Sequence, residues 1–218
     1  PVQIGTDTNW SRISCGWQHT VALKSDGTLW AWGYNDTSQL GDGTNLARSA
    51  PVLIGSGYAS VAVGQYHTDA LKVDGYVWTW GQNYYGQLGD ASTTARNSPA
   101  QIGTGYSAVS AGWFFALGLK ADGTLWAWGD NAFGQLGDGT TVARSTPQLV
   151  GSGYASVAAG TYHVVARMTD DSVWTWGANS SGQLGDGTFV ARGTPAQVGT
   201  GFASVRAGGF HSAALKSD

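Results

Sequence analysis

Three features of the sequence predict an all-β propeller of four-stranded blades: a 48-residue period, a tryptophan pair in every full period, and an Asp-Gly turn between alternating apolar runs. The period is carried by Gly16, Gly64, Gly112, Gly160 and Gly208, and again by Pro51, Pro99, Pro147 and Pro195. The pairs are Trp30/Trp32, Trp78/Trp80, Trp126/Trp128 and Trp174/Trp176. Only the first unit departs, with two extra residues between Gly5 and Trp10.

Within the second unit, 51–55 (PVLIG), 58–64 (YASVAVG), 67–73 (HTDALKV) and 76–81 (YVWTWG) read as four consecutive strands of one blade. Asp74-Gly75 between the last two predicts a two-residue type I′ hairpin, as do Asp26-Gly27 and Asp122-Gly123, whereas Asp170-Asp171 is a poorer version. A segment over 82–98 carries the chain onward. The whole of 1–218 reads as one repeat domain of about four and three-quarter units. The final unit stops at Asp218, in the hairpin turn, which leaves strand 211–216 without its partner; the expectation is a fragment lacking closing blades, able to self-associate through open edges.

Composition agrees with strands and turns. All 14 acidic residues are Asp, charged residues make up 11%, and Trp, Tyr, Val and Thr are common. The 34 glycines recur at fixed positions, as turns do and low-complexity sequence does not. A single Cys15 excludes an internal disulfide framework and a cysteine metal cluster. The net charge of −3 and the absence of a basic run argue against nucleic acid as partner, and no apolar run is long enough for a membrane helix.

The run GxNxxGQLGDGT at 129–140 and 177–188, followed by Ala-Arg, two residues and Pro, then by GxxHxxAL and LWAWG stretches, resembles the signature of the regulator-of-chromosome-condensation repeat family, in the style of its bacterial members. The resemblance covers essentially the whole chain. It implies a propeller, typically of seven blades, of which this chain is a part. Relatives include a nucleotide-exchange factor for a GTPase and a propeller inhibitor of β-lactamases; the first implies a basic tail for chromatin that is absent here, and nothing in the residues identifies a lactamase.

Comparing the units separates scaffold from site. Gln39, Gln87, Gln135 and Gln183 recur, as do Asp42, Asp90, Asp138 and Asp186, each with an Arg six residues on (Arg48, Arg96, Arg144, Arg192). Each Asp is read as a cap for loop amides and each Arg as a bidentate tie across the loop. His19, His67, His163 and His211 share one position with Phe115, which suits a core histidine with one satisfied nitrogen. Cys15 aligns with Val63 and three alanines and reads as a small buried residue. The paired tryptophans share a face and either pack between blades or line a sugar-binding groove; their presence in every unit favours packing.

Residues that differ between units remain for recognition. They follow the repeated Gly (Trp17, Trp113) or lie between the WG and GQLG motifs (Tyr34, Asp36, Tyr84, Tyr85, Phe133). Ordinary loop drift is the alternative reading. No distinctive catalytic set appears: every Asp of the signature has equivalents, and Asp36, Asp69 and Asp130 stand alone in exposed-looking places. The expectation is a non-enzymatic scaffold without cofactor that docks a protein partner through its loops, with a glycan as the alternative ligand. The composition suits an extracellular or cell-surface protein.

Overall fold

The computed structural model describes residues 6–217, and all regular structure among them is β-strand. Four antiparallel four-stranded sheets follow one another. The first contains β1 (Trp10–Cys15), β2 (His19–Lys24), β3 (Leu29–Gly33) and β4 (Arg48–Gly55), and the second β5 (Tyr58–Val63), β6 (His67–Lys72), β7 (Val77–Gly81) and β8 (Arg96–Gly103). The third holds β9 (Tyr106–Ala111), β10 (Phe115–Lys120), β11 (Leu125–Gly129) and β12 (Arg144–Gly151), the fourth β13 (Tyr154–Ala159), β14 (His163–Met168), β15 (Val173–Gly177) and β16 (Arg192–Gly199). A pair, β17 (Phe202–Ala207) and β18 (Ser212–Lys216), follows. The order within each blade is sequential, as a meander of hairpins gives.

The blade boundary differs from the expected one. The Pro51 segment is the last strand of blade one, paired with β3 through Ala31↔Val52, and it starts at Arg48. The reason is the long loop after each Trp-Gly: it turns the chain back beside β3, so the fourth strand closes the same sheet. Ser56-Gly57 then leads beneath the hairpin of blade one, where the Tyr58 N–H donates to Gly27 O at 3.0 Å.

The hairpin turn also differs. Gly27 lies at φ 80°, but Asp26 is not at positive φ, and Gly27 N–H closes onto Lys24 O while Lys24 N–H reaches Thr28 O. This is a three-residue loop ending in a left-handed residue, not type I′. Asp171 takes that residue's place in blade four at φ 64°, which a glycine accepts more readily.

Blades meet through indoles. Trp80, Trp128 and Trp176 are fully buried, and each donates its Nε1–H to the carbonyl of Gln39, Gln87 or Gln135 in the blade before, at 3.0, 2.9 and 3.0 Å. A Cβ on Gly41 would stand 2.5 Å from the Trp80 ring, so the socket requires glycine. The other member of each pair, such as Trp30, Trp78 or Trp126, is half-buried towards the hairpin end, under the ammonium of Lys24, Lys72 or Lys120. The paired tryptophans are packing elements among the described residues, except Trp32, which with Trp10 lines a cavity of about 450 Å³ on the uncovered flank of blade one.

Three residues sit in surroundings the sequence did not suggest. Cys15 is exposed, because no sheet covers that flank of blade one among the described residues, whereas its equivalent Val63 packs against blade one. Asp69, read as exposed, is 0% exposed on the face where blade one has Val21 and blade three Leu117. Its Oδ2 lies 3.3 Å from His67 Nε2. Desolvation pushes the Asp69 carboxyl up, and the nearby His67 opposes that shift. Asp130 is also buried, at 8% exposure.

Candidate functional site

The loop end of the blades is organised by the repeated residues. In blade three the buried Asn131 donates from Nδ2 to Asp138 Oδ1 and Thr140 O, both at 3.1 Å, and to Val142 O at 3.2 Å, while its Oδ1 accepts the Leu136 N–H at 2.9 Å. Asn35, Asn83 and Asn179 do the same in their blades. Asp138 Oδ1 also accepts from the Thr140 N–H and hydroxyl, and its Oδ2 takes both Nε and Nη2 of Arg144. The arginine therefore converges on one oxygen instead of forming the expected fork, because Oδ1 is already engaged by the loop. Burial works against ionisation of Asp42 and Asp138, but hydrogen bonds from the threonines and the arginine overcome it and hold both carboxylates below their usual range.

Each Gln has two duties. The carbonyls of Gln39, Gln87 and Gln135 receive the next blade's indole, that of Gln183 takes the Ser212 hydroxyl at 2.7 Å, and Gln87 Oε1 accepts the Tyr85 N–H at 3.0 Å, as Gln135 Oε1 accepts that of Phe133 at 2.9 Å. The scaffold thus fixes the backbone that carries the blade-specific aromatics.

His19, His67 and His163 lie buried beneath this end, while His211, expected to be a core residue too, is exposed in the last pair of strands, which no further sheet covers among the described residues. His163 Nε2 meets Ser212 Oγ at 3.1 Å and His19 Nε2 meets Thr68 Oγ1 at 3.5 Å, each in the following blade, with Nδ1 of both buried and unpaired among the described residues. The expected one-nitrogen arrangement holds for these two. In blade three Phe115 faces an apolar Val164 at the matching place, and where His67 would need a hydroxyl the chain has Ala116, leaving Asp69 as its polar neighbour.

Burial lowers His19 to about 3, helped by His67, and His163 to about 4. Unfolded histidine titrates near 6.5, so between pH 6.5 and 4 the unfolded chain binds protons that the folded chain refuses. Stability is therefore complete above pH 6.5 and falls by about 3 kcal/mol per histidine by pH 4. Asp69, shifted upward, contributes in the opposite sense. Urea midpoints across this range will fall, and less steeply for His163→Phe, which copies Phe115. A flat profile between pH 6.5 and 4 would contradict the assignment.

Around the axis, Trp17 N–H donates to Gln65 O, Gln65 N–H to Trp113 O, Trp113 N–H to Thr161 O and Thr161 N–H to Gly209 O. These turns surround a cavity of about 290 Å³. The repeated glycines permit the close approach: a Cβ on Gly64 would lie 2.6 Å from Gly112 O.

Of the aromatic residues singled out from sequence, Trp17 and Trp113 line this cavity, and Tyr34, Tyr85 and Phe133 join them through further rings. Trp17 meets Tyr66 at 5.7 Å and Tyr34 meets Tyr66 at 6.3 Å, with the planes tilted by 57° and 52°. Tyr85 meets Phe114 at 5.2 Å, Trp113 meets Phe114, Tyr162 and Phe210 at 6.3, 5.6 and 6.5 Å, and Phe133 meets Tyr162 at 5.1 Å. Tyr84 is 69% exposed and makes no ring contact among the described residues; Asp36 is exposed beside Tyr34. Sequence reasoning missed Tyr66, Phe114, Tyr162 and Phe210. The signal was the residue before the repeated His, which is aromatic in every unit but the first, where Gln18 stands. A ring from one blade and this ring from the next form five of the contacts; Trp113–Phe114 lies within blade three, and Trp113–Phe210 reaches from blade three to the last pair of strands.

A repeated four-stranded blade, joined by indole sockets and presenting loops at one end, defines a propeller of the type expected from the resemblance. The family model for the RCC1-like domain matches residues 1–214, and the chain belongs to that family. It is similar to the ultraviolet-B receptor UVR8 of Arabidopsis thaliana, 52% identical over 44 residues, which is 20% of this chain and 10% of that protein. Among solved structures it is similar to human WBSCR16 and to Prp20p of Saccharomyces cerevisiae, each at TM-score 0.87 and 22% identity, covering 98% and 100% of this chain. The chain spans 59% of the length of each. Prp20p is described with binding properties to Gsp1p and histones.

Proposed function

We propose that the loop end is a protein-docking face and that the chain is a non-catalytic binding scaffold. The observation that carries this is the aromatic cluster at the loop end: its rings are partly exposed, and Trp17, Tyr34, Tyr85, Trp113 and Phe133 vary between blades, so the repeated fold does not demand them. Aromatic anchors on a rigid frame are the usual centre of a protein interface, since they add contact area with little loss of side-chain freedom. The protein partners described for Prp20p are a precedent for the class of activity, and the partner itself is open.

The experiment is retention of a protein from source extract by the immobilised chain, compared with Trp113→Ala and with Tyr85→Ala. Both variants are expected to retain at least about tenfold less partner at an unchanged unfolding midpoint. Retention by both variants at the original level would contradict the proposal. A glycan is the second reading, favoured by one observation: Trp17 is 64% exposed beside the cavity, as ring-stacking sugar sites require. Array binding lost on Trp17→Ala supports it, and silence on the array counts against it.

A further inference from the structure

We infer that the docking face selects cationic side chains, so that its partner presents arginine or lysine to the rings. The inference rests on the docking reading and names the chemistry of the partner.

Charge at the loop end is one-sided. The arginines there, Arg48, Arg96, Arg144 and Arg192, are each bound to the Asp of their own loop. Arg206 belongs to the flank of β17, since its equivalent Ser110 faces the following blade and accepts the Ala159 N–H. Lys24, Lys72, Lys120 and Lys216 all lie at the hairpin end. At this end two carboxylates remain without a cationic partner among the described residues, Asp36 and Asp130; the others without an ion pair, Asp26, Asp74, Asp122 and Asp170, lie in the hairpins at the opposite end.

Asp36 is exposed two residues from Tyr34, in the loop whose ring meets Tyr66 at 6.3 Å. Asp130 lies beside Phe114, to whose carbonyl its N–H donates at 2.8 Å, but its carboxylate is buried and held by Gln135 Nε2 at 2.8 Å and by the Ala132 N–H, so it acts through its charge and not by contact. A guanidinium laid on Tyr34 meets a ring face and the exposed Asp36 carboxylate together.

The molecule already uses this chemistry at its other end. There Lys24 covers Trp30 at 4.3 Å, Lys72 covers Trp78 at 4.6 Å and Lys120 covers Trp126 at 4.5 Å. At the loop end no cation among the described residues covers a ring, although rings and carboxylates are both present. Electron-rich faces beside unpaired carboxylates attract a cation supplied from outside.

The test is fluorescence anisotropy of a short labelled Gly-Arg repeat peptide against its citrulline counterpart, which keeps shape and hydrogen bonding but not charge. The arginine peptide should bind at least about tenfold tighter, and less tightly as salt rises. Trp113→Ala and the pair Asp36→Asn with Asp130→Asn should each reduce that preference several-fold. Asp26→Asn with Asp122→Asn, which remove the same charge from the hairpin end, should leave it unchanged.

Equal binding of the two peptides, or no binding of either, overturns the cationic inference, while the retention experiment still decides the docking reading. Equal losses from both charge-removal pairs also overturn it, because attraction is then to net charge and not to this face.

Discussion

Trp128→Ala lowers the unfolding free energy by about 3–5 kcal/mol, read as a drop in the urea midpoint. The ring is fully buried between blades two and three, edge-on to Tyr106 at 6.4 Å, and its Nε1–H donates to Gln87 O. Truncation opens a cavity at a junction where Gly89 has been kept bare to admit the ring. Trp128→Phe keeps most of the bulk and loses the donor, so it should cost less, about 1–3 kcal/mol. Trp32→Ala removes the equivalent ring from the flank of blade one, where it is only half-buried, and should cost a fraction of either. Equal effects at Trp32 and Trp128 would show that the indoles do not work as sockets between blades.

Asn131→Ala costs about 2–4 kcal/mol and releases the loop that carries Phe133. Its amide satisfies the buried Leu136 N–H and ties three loop acceptors at once, so no single water replaces it. Asn131→Asp keeps the acceptor but sets an anion against Asp138, which stays ionised well into acid. That variant is expected to be less stable than Asn131→Ala near neutral pH and to recover part of the difference on acidification. Denaturation of both at two pH values checks this, and identical curves would contradict the role given to Nδ2.

Most of the architecture was legible because a repeat supplies its own comparison. The Gly16 and Pro51 periods located the blades, and alternation in 67–73 located the strands. Alternation does not say which sheet a strand joins, however. The Pro51 strand closes its sheet through a loop whose course depends on a buried asparagine amide, so the blade boundary was misplaced. The hairpin type was missed because Asp-Gly serves both a two-residue turn and a three-residue turn ending in a left-handed glycine.

Burial of single residues was harder to read. Asp69 and Asp130 look like surface residues, but one replaces an apolar residue between blades and the other is tied down by Gln135. Cys15 was misread for the converse reason: its equivalents are packed, but its own blade has an uncovered flank. In the aromatic cluster, looking for residues that vary picks out Trp17, Trp113, Tyr34, Tyr85 and Phe133, and also Tyr84 and Asp36, of which Tyr84 makes no ring contact among the described residues. The same rule passed over Tyr66, Phe114 and Tyr162, which recur and yet complete the cluster.

Amide hydrogen exchange of the chain with and without its retained protein partner measures where recognition occurs. Protection is expected in the turns at 16–18, 64–66, 112–114 and 160–162 and in the loops that follow Gly33, Gly81 and Gly129, with the Asp-Gly hairpins unchanged. Protection confined to those hairpins or to the outer strands β4, β8 and β12, with the aromatic loops exchanging as before, would place binding elsewhere and contradict the division between a repeated scaffold and a recognition face.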